Sequence, residues 1–350
     1  MRNDLPAQAV YQSTGSGTWT EPGAYEVSPG VHRIPLPLPM DGLRAVNVYV
    51  LESDEGLTLV DGGWAIEESR TLLESSLKQI GYGVRDIRRF LVTHVHRDHY
   101  TQAAVIAKEF GAGLSLGIGD KPTLDLMHDP DLDHDPTVAQ LERAGAQVIA
   151  EEWARVMHGD PPDLGLWGYP DTWLETDHTI EVAGRSLKAV STPGHTQGHF
   201  VFADEAAGVL FAGDHVLPTI TPSVGFEPVY APQPLRDFMA SLVKVRAMPD
   251  MTLLPAHGPT GMSSHQRVDE LLAFHEGRLA RCIEIVRGGA RTAYEVAGEL
   301  PWTKRERRLV DLDVFNGSLA TMETLTHLEL LALRGDLVRH DGPTVEFSAP

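Results

Sequence analysis

The chain reads as a layered sheet carrying helices on its faces, followed by a mostly helical tail. Three observations predict this. Short β-like runs alternate with helical stretches, the residues with metal-binding chemistry follow directly on those runs, and the composition turns helical after about residue 262. The length agrees, since 350 residues suggest roughly two domains of about 150 residues each.

Residues 1–30 are rich in Gly, Ser, Pro and Thr without sustained periodicity, and read as an N-terminal arm ordered only by docking onto something else. From His32, the runs HRIPLPLP, AVNVYVL and LTLVDGG read as strands, with SDEG as a turn. AIEESRTLLESSLKQIG carries Leu72, Leu73, Leu77 and Ile80 near helical spacing and stops at Gly81. A strand RRFLVT then enters a histidine cluster, and YTQAAVIAKEFG behind it reads as a helix ending at Gly111. Residues 112–176 are less regular and read as an insertion or lid, holding Trp153, Trp167, Trp173 and Tyr169, with Asp135-Pro136 capping the helix TVAQLERAG. Its aromatics are expected either to line an apolar acyl pocket or simply to pack the insertion down. MHDPDLDHDP, with His128 and His134, reads as turn and capping chemistry rather than as a third metal site. Strands resume with HTIEVAG, SLKAVSTPG, HFVFAD and GVLFAGD, and MTLLPAHG follows a helix around 235–247. Residues 263–350 give a long helix, two shorter helical patterns and a closing hairpin, the outline of a winged-helix-like domain.

The 29 Lys+Arg against 49 Asp+Glu give a net charge of −20, which argues against a surface that grips nucleic acid as a whole. Residues 278–308 are locally basic, with Lys304, Arg305, Arg307 and Arg308 close together, and read as a solvated face. The lone Cys282 forms no intramolecular disulfide and reads as a small buried residue. The N-terminus lacks the apolar stretch of a signal peptide, and no apolar run is long enough to span a bilayer, so a cytoplasmic protein is expected.

The strongest local pattern is His94-Val95-His96-Arg97-Asp98-His99, between a predicted strand and a predicted helix. Three imidazoles and a carboxylate are ligands for zinc or a similar divalent ion, and so tight a segment suits two ions, each completed from elsewhere. His195 in STPGHTQGH, Asp214 in VLFAGDH and His257 in LLPAHG each follow a β-like run. Strand ends of this kind converge at one edge of a sheet.

With these motifs in place, the sequence resembles the metallo-β-lactamase superfamily. HVHRDH is similar to its HxHxDH signature, and TPGHTQGH, FAGDH and PAHG follow in the family's order over residues 31–262. The resemblance implies an α+β, four-layer αββα sandwich with a dinuclear site between the sheets. It implies that His94, His96 and His195 hold one metal, that Asp98, His99 and His257 hold the other, and that Asp214 bridges. Asp61 in LVDGG matches the family's strand-end aspartate and is expected to support a ligand or a turn. His199 is expected behind the ligands. His215 follows the bridging aspartate where many relatives have a small or apolar residue, and reads as an extra site residue, a donor behind a ligand, or a solvated turn histidine. Tyr100-Thr101-Gln102 replaces the glycine the family commonly places just after the signature, which leaves the pocket floor open. The tail resembles the winged-helix-like extension of one long branch of these hydrolases, whose members include an endoribonuclease.

Two divalent ions about 3.5–4 Å apart share and acidify a water. The implied reaction is therefore hydrolysis, with hydroxide attacking an ester-like carbonyl, Asp98 and Asp214 serving the chemistry, and zinc preferred over iron or manganese. A small thioester or lactone is the favoured substrate. RNA cleavage using the tail, or a tail that pairs two copies into a homodimer, are the alternatives.

Overall fold

In the computed structural model, residues 18–39, 42–129, 135–156, 163–182, 184–303 and 305–350 are described. Residues 1–17 of the expected arm, together with His134 and Lys304, lie outside them. Strands β1 (Tyr25–Ser28), β2 (Val31–Pro37), β3 (Ala45–Ser53) and β4 (Gly56–Val60) pair antiparallel in chain order. Helix α1 (Glu67–Gln79) leads to β5 (Ile87–Leu91), which lies parallel to β4. Helix α2 (Arg97–Phe110), closed by left-handed Gly111, leads to β6 (Gly113–Gly117), parallel to β5. After α3 (Lys121–Met127), α4 (Pro136–Arg143) and α5 (Gln147–Val156), β7 (Thr172–Leu174) completes a seven-stranded sheet. A second sheet holds β8 (His178–Val182), β9 (Arg185–Ser191), β10 (Phe200–Asp204) and β11 (Val209–Gly213), all antiparallel. Helix α6 (Pro234–Arg246) then carries the chain across to β12 (Thr252–Pro255), parallel to β11. Helices α7 (Ser264–Arg287), α8 (Ala293–Glu299) and α9 (Val314–Arg334) and the hairpin β13 (Val338–His340) and β14 (Glu346–Ser348) follow.

Side-chain alternation explains the layering. Tyr49, Leu51, Val60 and Leu91 of the first sheet meet Phe200, Phe202, Phe211 and Leu254 of the second, with the Tyr49 and Phe211 rings 5.4 Å apart. The opposite face of the first sheet packs Val48, Leu59 and Phe90 against Leu73 and Leu77 of α1 and Tyr100 and Ile106 of α2. On the far side of the second sheet, Val201, Leu210 and Leu253 meet Leu235, Phe238 and Leu242 of α6. The result is the four-layer αββα order. Each wholly buried phenylalanine contributes about 1.5–3 kcal/mol to it.

That last apolar cluster continues through Leu271 and Leu279 of α7, Leu325 and Leu328 of α9 and Phe347 of β14, so one core crosses the boundary expected near 262. Helices α8 and α9, of 7 and 21 residues, are both shorter than the 24-residue α7, as expected, and α9 is buried almost all round with no polar stripe. Two further differences concern the ends of expected segments. Residues 25–28 pair with β2 instead of remaining arm, and β6 and β7 belong to the first sheet rather than to an insertion. Trp153 is buried against Phe226 and Phe315, while Trp167 and Trp173 pack toward the α1–α2 side of the first sheet. His128 follows α3, bonded to the Leu124 carbonyl and stacked on Tyr169, which is turn chemistry. Arg305, Arg307 and Arg308 are exposed in the connection from α8 to α9.

Candidate metal centre

Every residue singled out around the site follows the carboxyl end of a strand. Asp61 follows β4, His94, His96, Asp98 and His99 lie between β5 and the first turn of α2, and His195 and His199 lie between β9 and β10. Asp214 follows β11 and His257 follows β12. The backbone is shaped for this: Asp61 has φ 63° and Gly213 φ 50°, both left-handed. A Cβ on Gly213 would meet His199 Nε2 at 2.6 Å and Thr93 at 2.8 Å, so the chain can deliver Asp214 here only through glycine.

The structure gathers the seven candidate ligands into two adjoining sets. His94 Nε2 and His195 Nε2 stand 3.0 and 3.1 Å from His96 Nδ1. His257 Nε2 lies 3.4 Å from Asp98 Oδ2, and His99 Nε2 lies 3.6 Å from the same oxygen. Asp214 sits between the sets, with Oδ2 3.6 Å from His195 Nε2 and Oδ1 3.3 Å from His257 Nε2 and 3.7 Å from His99 Nε2. Zinc bonds of 2.0–2.2 Å at tetrahedral angles place neighbouring ligand atoms about 3.3 Å apart, the spacing found here.

Each of the five histidines has its outer nitrogen tied to an oxygen, and in four of them that partner makes the outer nitrogen the donor. His94 Nδ1 donates to Thr93 Oγ1 at 3.0 Å, because the Thr93 hydroxyl gives its own proton to Asp61. His99 Nδ1 donates to Asp61 at 2.9 Å, His195 Nδ1 to the Ser223 carbonyl at 2.7 Å and His257 Nδ1 to the Ala45 carbonyl at 2.8 Å, while His96 Nε2 shares a 3.0 Å hydrogen bond with Glu227, whose carboxyl burial raises to about 8. The five inner nitrogens face one space, those of His94 and His195 as lone pairs and those of His99 and His257 beside carboxylates that favour a positive charge there. There His99 Nε2, His257 Nε2 and Asp214 Oδ1 are buried without a hydrogen-bond partner. Lone pairs and carboxylates gathered in a dry pocket fit a cation and little else.

The electrostatics differ between the sets. Burial and the crowding of other imidazoles hold His94 well below its ordinary pKa and His195 at about 4, so these rings are neutral. Burial also opposes charge on His99 and His257, yet Asp98, Asp61 and Asp214 raise His99 to about 9, and Asp214 and Asp98 raise His257 well above the usual value. The second set therefore demands positive charge at its centre.

His199 turns away from the ligands: its Nε2 accepts the Asp214 backbone N–H at 3.2 Å and its Nδ1 meets Thr192 Oγ1. His215 is wholly buried beside Phe238 and His199, which removes the solvated-turn alternative. The pocket floor is set by α2 against the LVDGG loop. Thr101 Oγ1 accepts the Ala65 N–H, Gln102 Nε2 donates to the Gly62 carbonyl, and buried Tyr100 donates to the Gly168 carbonyl. Sequence reasoning missed Glu227 and Asp120. Asp120 accepts Val95 N–H at 2.9 Å and Gly198 N–H at 2.7 Å, pinning the two histidine loops together, and burial raises its carboxyl to about 7.

The metallo-beta-lactamase superfamily model matches residues 41–257, more than half of the chain. Over 332 residues the chain is 23% identical to a probable metallo-hydrolase, YqjP, of Bacillus subtilis (strain 168), covering 90% of this chain and 96% of that protein. It is 25% identical over 243 residues to an atrochrysone carboxyl ACP thioesterase of Paecilomyces divaricatus, covering 69% of this chain and 59% of that one. Among solved structures, a metallo-beta-lactamase family protein from Thermus thermophilus superimposes with a TM-score of 0.77 at 28% identity, over 93% of this chain and all of that one. Strand-end histidines and aspartates with inward lone pairs, the four-layer fold and the family match agree: the chain belongs to the metallo-beta-lactamase superfamily and is a metal-dependent hydrolase.

Proposed function

We propose that the chain hydrolyses a small ester-like bond, a thioester before a lactone, at a centre of two divalent ions, zinc before iron or manganese. His94, His96 and His195 would hold one ion, Asp98, His99 and His257 the other, and Asp214 would reach both. The observation that carries this reading is the set of five histidines with their outer nitrogens tied, around an aspartate whose two oxygens face different trios. Ions bound there supply Lewis-acid polarisation of the substrate carbonyl and acidify water toward neutral pH.

The protein's own groups do the rest. Asp98 and His96 keep partly exposed edges, at 15% and 32% of their side chains, so substrate enters over them. Asp98 is the open carboxylate; His99 and His257 hold it ionised against the cost of burial, so it would orient the attacking water as a hydrogen-bond acceptor. Cys282 cannot serve as a nucleophile, being buried in α7 with its thiol pushed up to about 12. A thioester suits this inventory because a thiol, of pKa about 8.5, leaves without prior protonation, whereas an alkoxide does not. The thioesterase relative points the same way. Because Trp153, Trp167 and Trp173 are committed to packing, the acyl chain would meet the segment bearing exposed Ile220 and Val229, which also supplies Ser223 and Glu227.

The test is thiol release from a panel of acyl-CoA thioesters by metal-reconstituted protein, beside Asp98→Ala and His195→Ala. Release that both variants lose is the expected result. Cleavage of lactones alone, or of RNA alone, with metal bound would overturn the thioester reading.

A further inference from the structure

A second gathering of ligand-type side chains lies in the C-terminal region, where α7 crosses α9. His275 of α7 faces Glu323 and His327 of α9, with one ligand atom from each lying within 4.8 Å of the others. His275 and His327 have no exposure and Glu323 only 9%. Glu323 and His327 are four residues apart on one helix, the spacing that sets two side chains on one face.

The hydrogen-bond inventory of the three does not close. His327 Nδ1 donates to the Glu323 backbone carbonyl at 2.7 Å, so its Nε2 carries a lone pair. That lone pair lies 3.2 Å from His275 Nδ1, within the 3.0–3.1 Å to 3.7 Å range seen between candidate ligand atoms at the main centre. It is also close to the roughly 3.3 Å edge of a tetrahedral zinc site. Glu323 Oε1 has no partner at all. Burial raises the Glu323 carboxyl, so its ionised form calls for a cation beside it. Burial holds both imidazoles in the neutral, ligating form, with His275 well below its ordinary pKa and His327 at about 3. Arg278, the nearest cation, is drawn outward by a bond from Nη1 to the Pro301 carbonyl and by stacking 4.3 Å over Trp302. Its charge opposes any cation there, so the ion must bond its ligands strongly, and two imidazoles and a carboxylate select one that bonds nitrogen strongly.

We propose that His275, Glu323 and His327 form a third metal site, binding a zinc-like divalent ion that fastens α7 to α9. The site is independent of the hydrolytic centre and of what that centre cleaves. It is tested on the full-length chain by metal analysis of an Asp214→Ala/His195→Ala/His257→Ala variant, which breaks both trios. After zinc loading and removal of free metal, about one zinc per folded chain is expected to remain. Adding Glu323→Gln or His275→Phe should abolish it. Cobalt loaded into the triple variant should show tetrahedral ligand-field bands without thiolate charge transfer. A folded triple variant that retains no zinc, or whose zinc survives Glu323→Gln, overturns the proposal. If the triple variant does not fold, the readout moves to the otherwise intact chain, where Glu323→Gln should lower zinc content from three to two equivalents; an unchanged content overturns it.

Discussion

The two halves of the metal centre are built on different principles. The His94, His96 and His195 trio is made of neutral imidazoles, with Asp214 Oδ2 3.6 Å from His195 Nε2, and two of its orienting partners, Ser223 and Glu227, come from one irregular segment. The Asp98, His99 and His257 trio is rich in carboxylate, and its orienting partners, Asp61 and Ala45, stand at a strand end and a strand start of the first sheet. In the proposed centre, one half would attract a cation by lone pairs held in place, the other by charge. The first depends on how well a loop is propped; the second depends on the sheet.

Asp214 is where the halves meet, so its removal should have the largest effect. Asp214→Ala is expected to empty both trios and to cut hydrolysis by more than the roughly 10–100-fold that outer partners carry. Metal content and rate measured together check this, and His195→Ala and His257→Ala should each release about one ion instead. If Asp214→Ala lost only one ion, the aspartate would belong to one half.

Asp61 comes next because it reaches both halves. It holds His99 directly, and it accepts from Thr93, whose hydroxyl orients His94. Asp61→Ala should weaken both ions by about 10–100-fold, seen as two shifted steps in a chelator competition. Glu227→Ala should weaken only the first trio, within the same range, and Glu227→Gln, which keeps an acceptor for His96 Nε2, should recover most of the loss. Equal weakening of both ions by Glu227→Ala would break the proposed division of labour.

How much of this was legible in the sequence follows from the same division. Candidate ligands at strand ends announce themselves because each follows an apolar run, and four of them sit within His94–His99. The strands themselves are readable from β-like runs ending in Gly or Asp. Glu227 was invisible: it is 131 residues from His96, in a stretch without periodicity, and nothing local marks a glutamate that meets a ligand only after folding. The extent of α9 was weakly marked for a related reason, since burial on all sides removes the amphipathic pattern that normally reveals a helix. Strand β6 and the edge strand β7 read as part of an insertion because runs of five and three residues carry little period.

The smallest expected effect tests how far the tail takes part in the first half. Gly225, at φ 85°, lies between Ser223 and Glu227, and a Cβ added there would stand 2.2 Å from Thr326 Cγ2 on α9. Helix α9 thus props the segment that orients His195 and His96, while no partner of His99 or His257 comes from it. Gly225→Ala should displace the segment through this clash and through the left-handed backbone, which costs an alanine about 1–2 kcal/mol. Part of that strain is borne by the loop, so affinity for the first ion should fall a few-fold, to about tenfold at most, with the second ion unchanged. Thr326→Ser removes the opposing methyl. If the clash is what carries the effect, Gly225→Ala/Thr326→Ser should recover the part due to contact and leave the part due to φ. A double variant no better than Gly225→Ala would show that α9 does not support the site through this contact, and a loss shared by both ions would show that the halves are not independently propped.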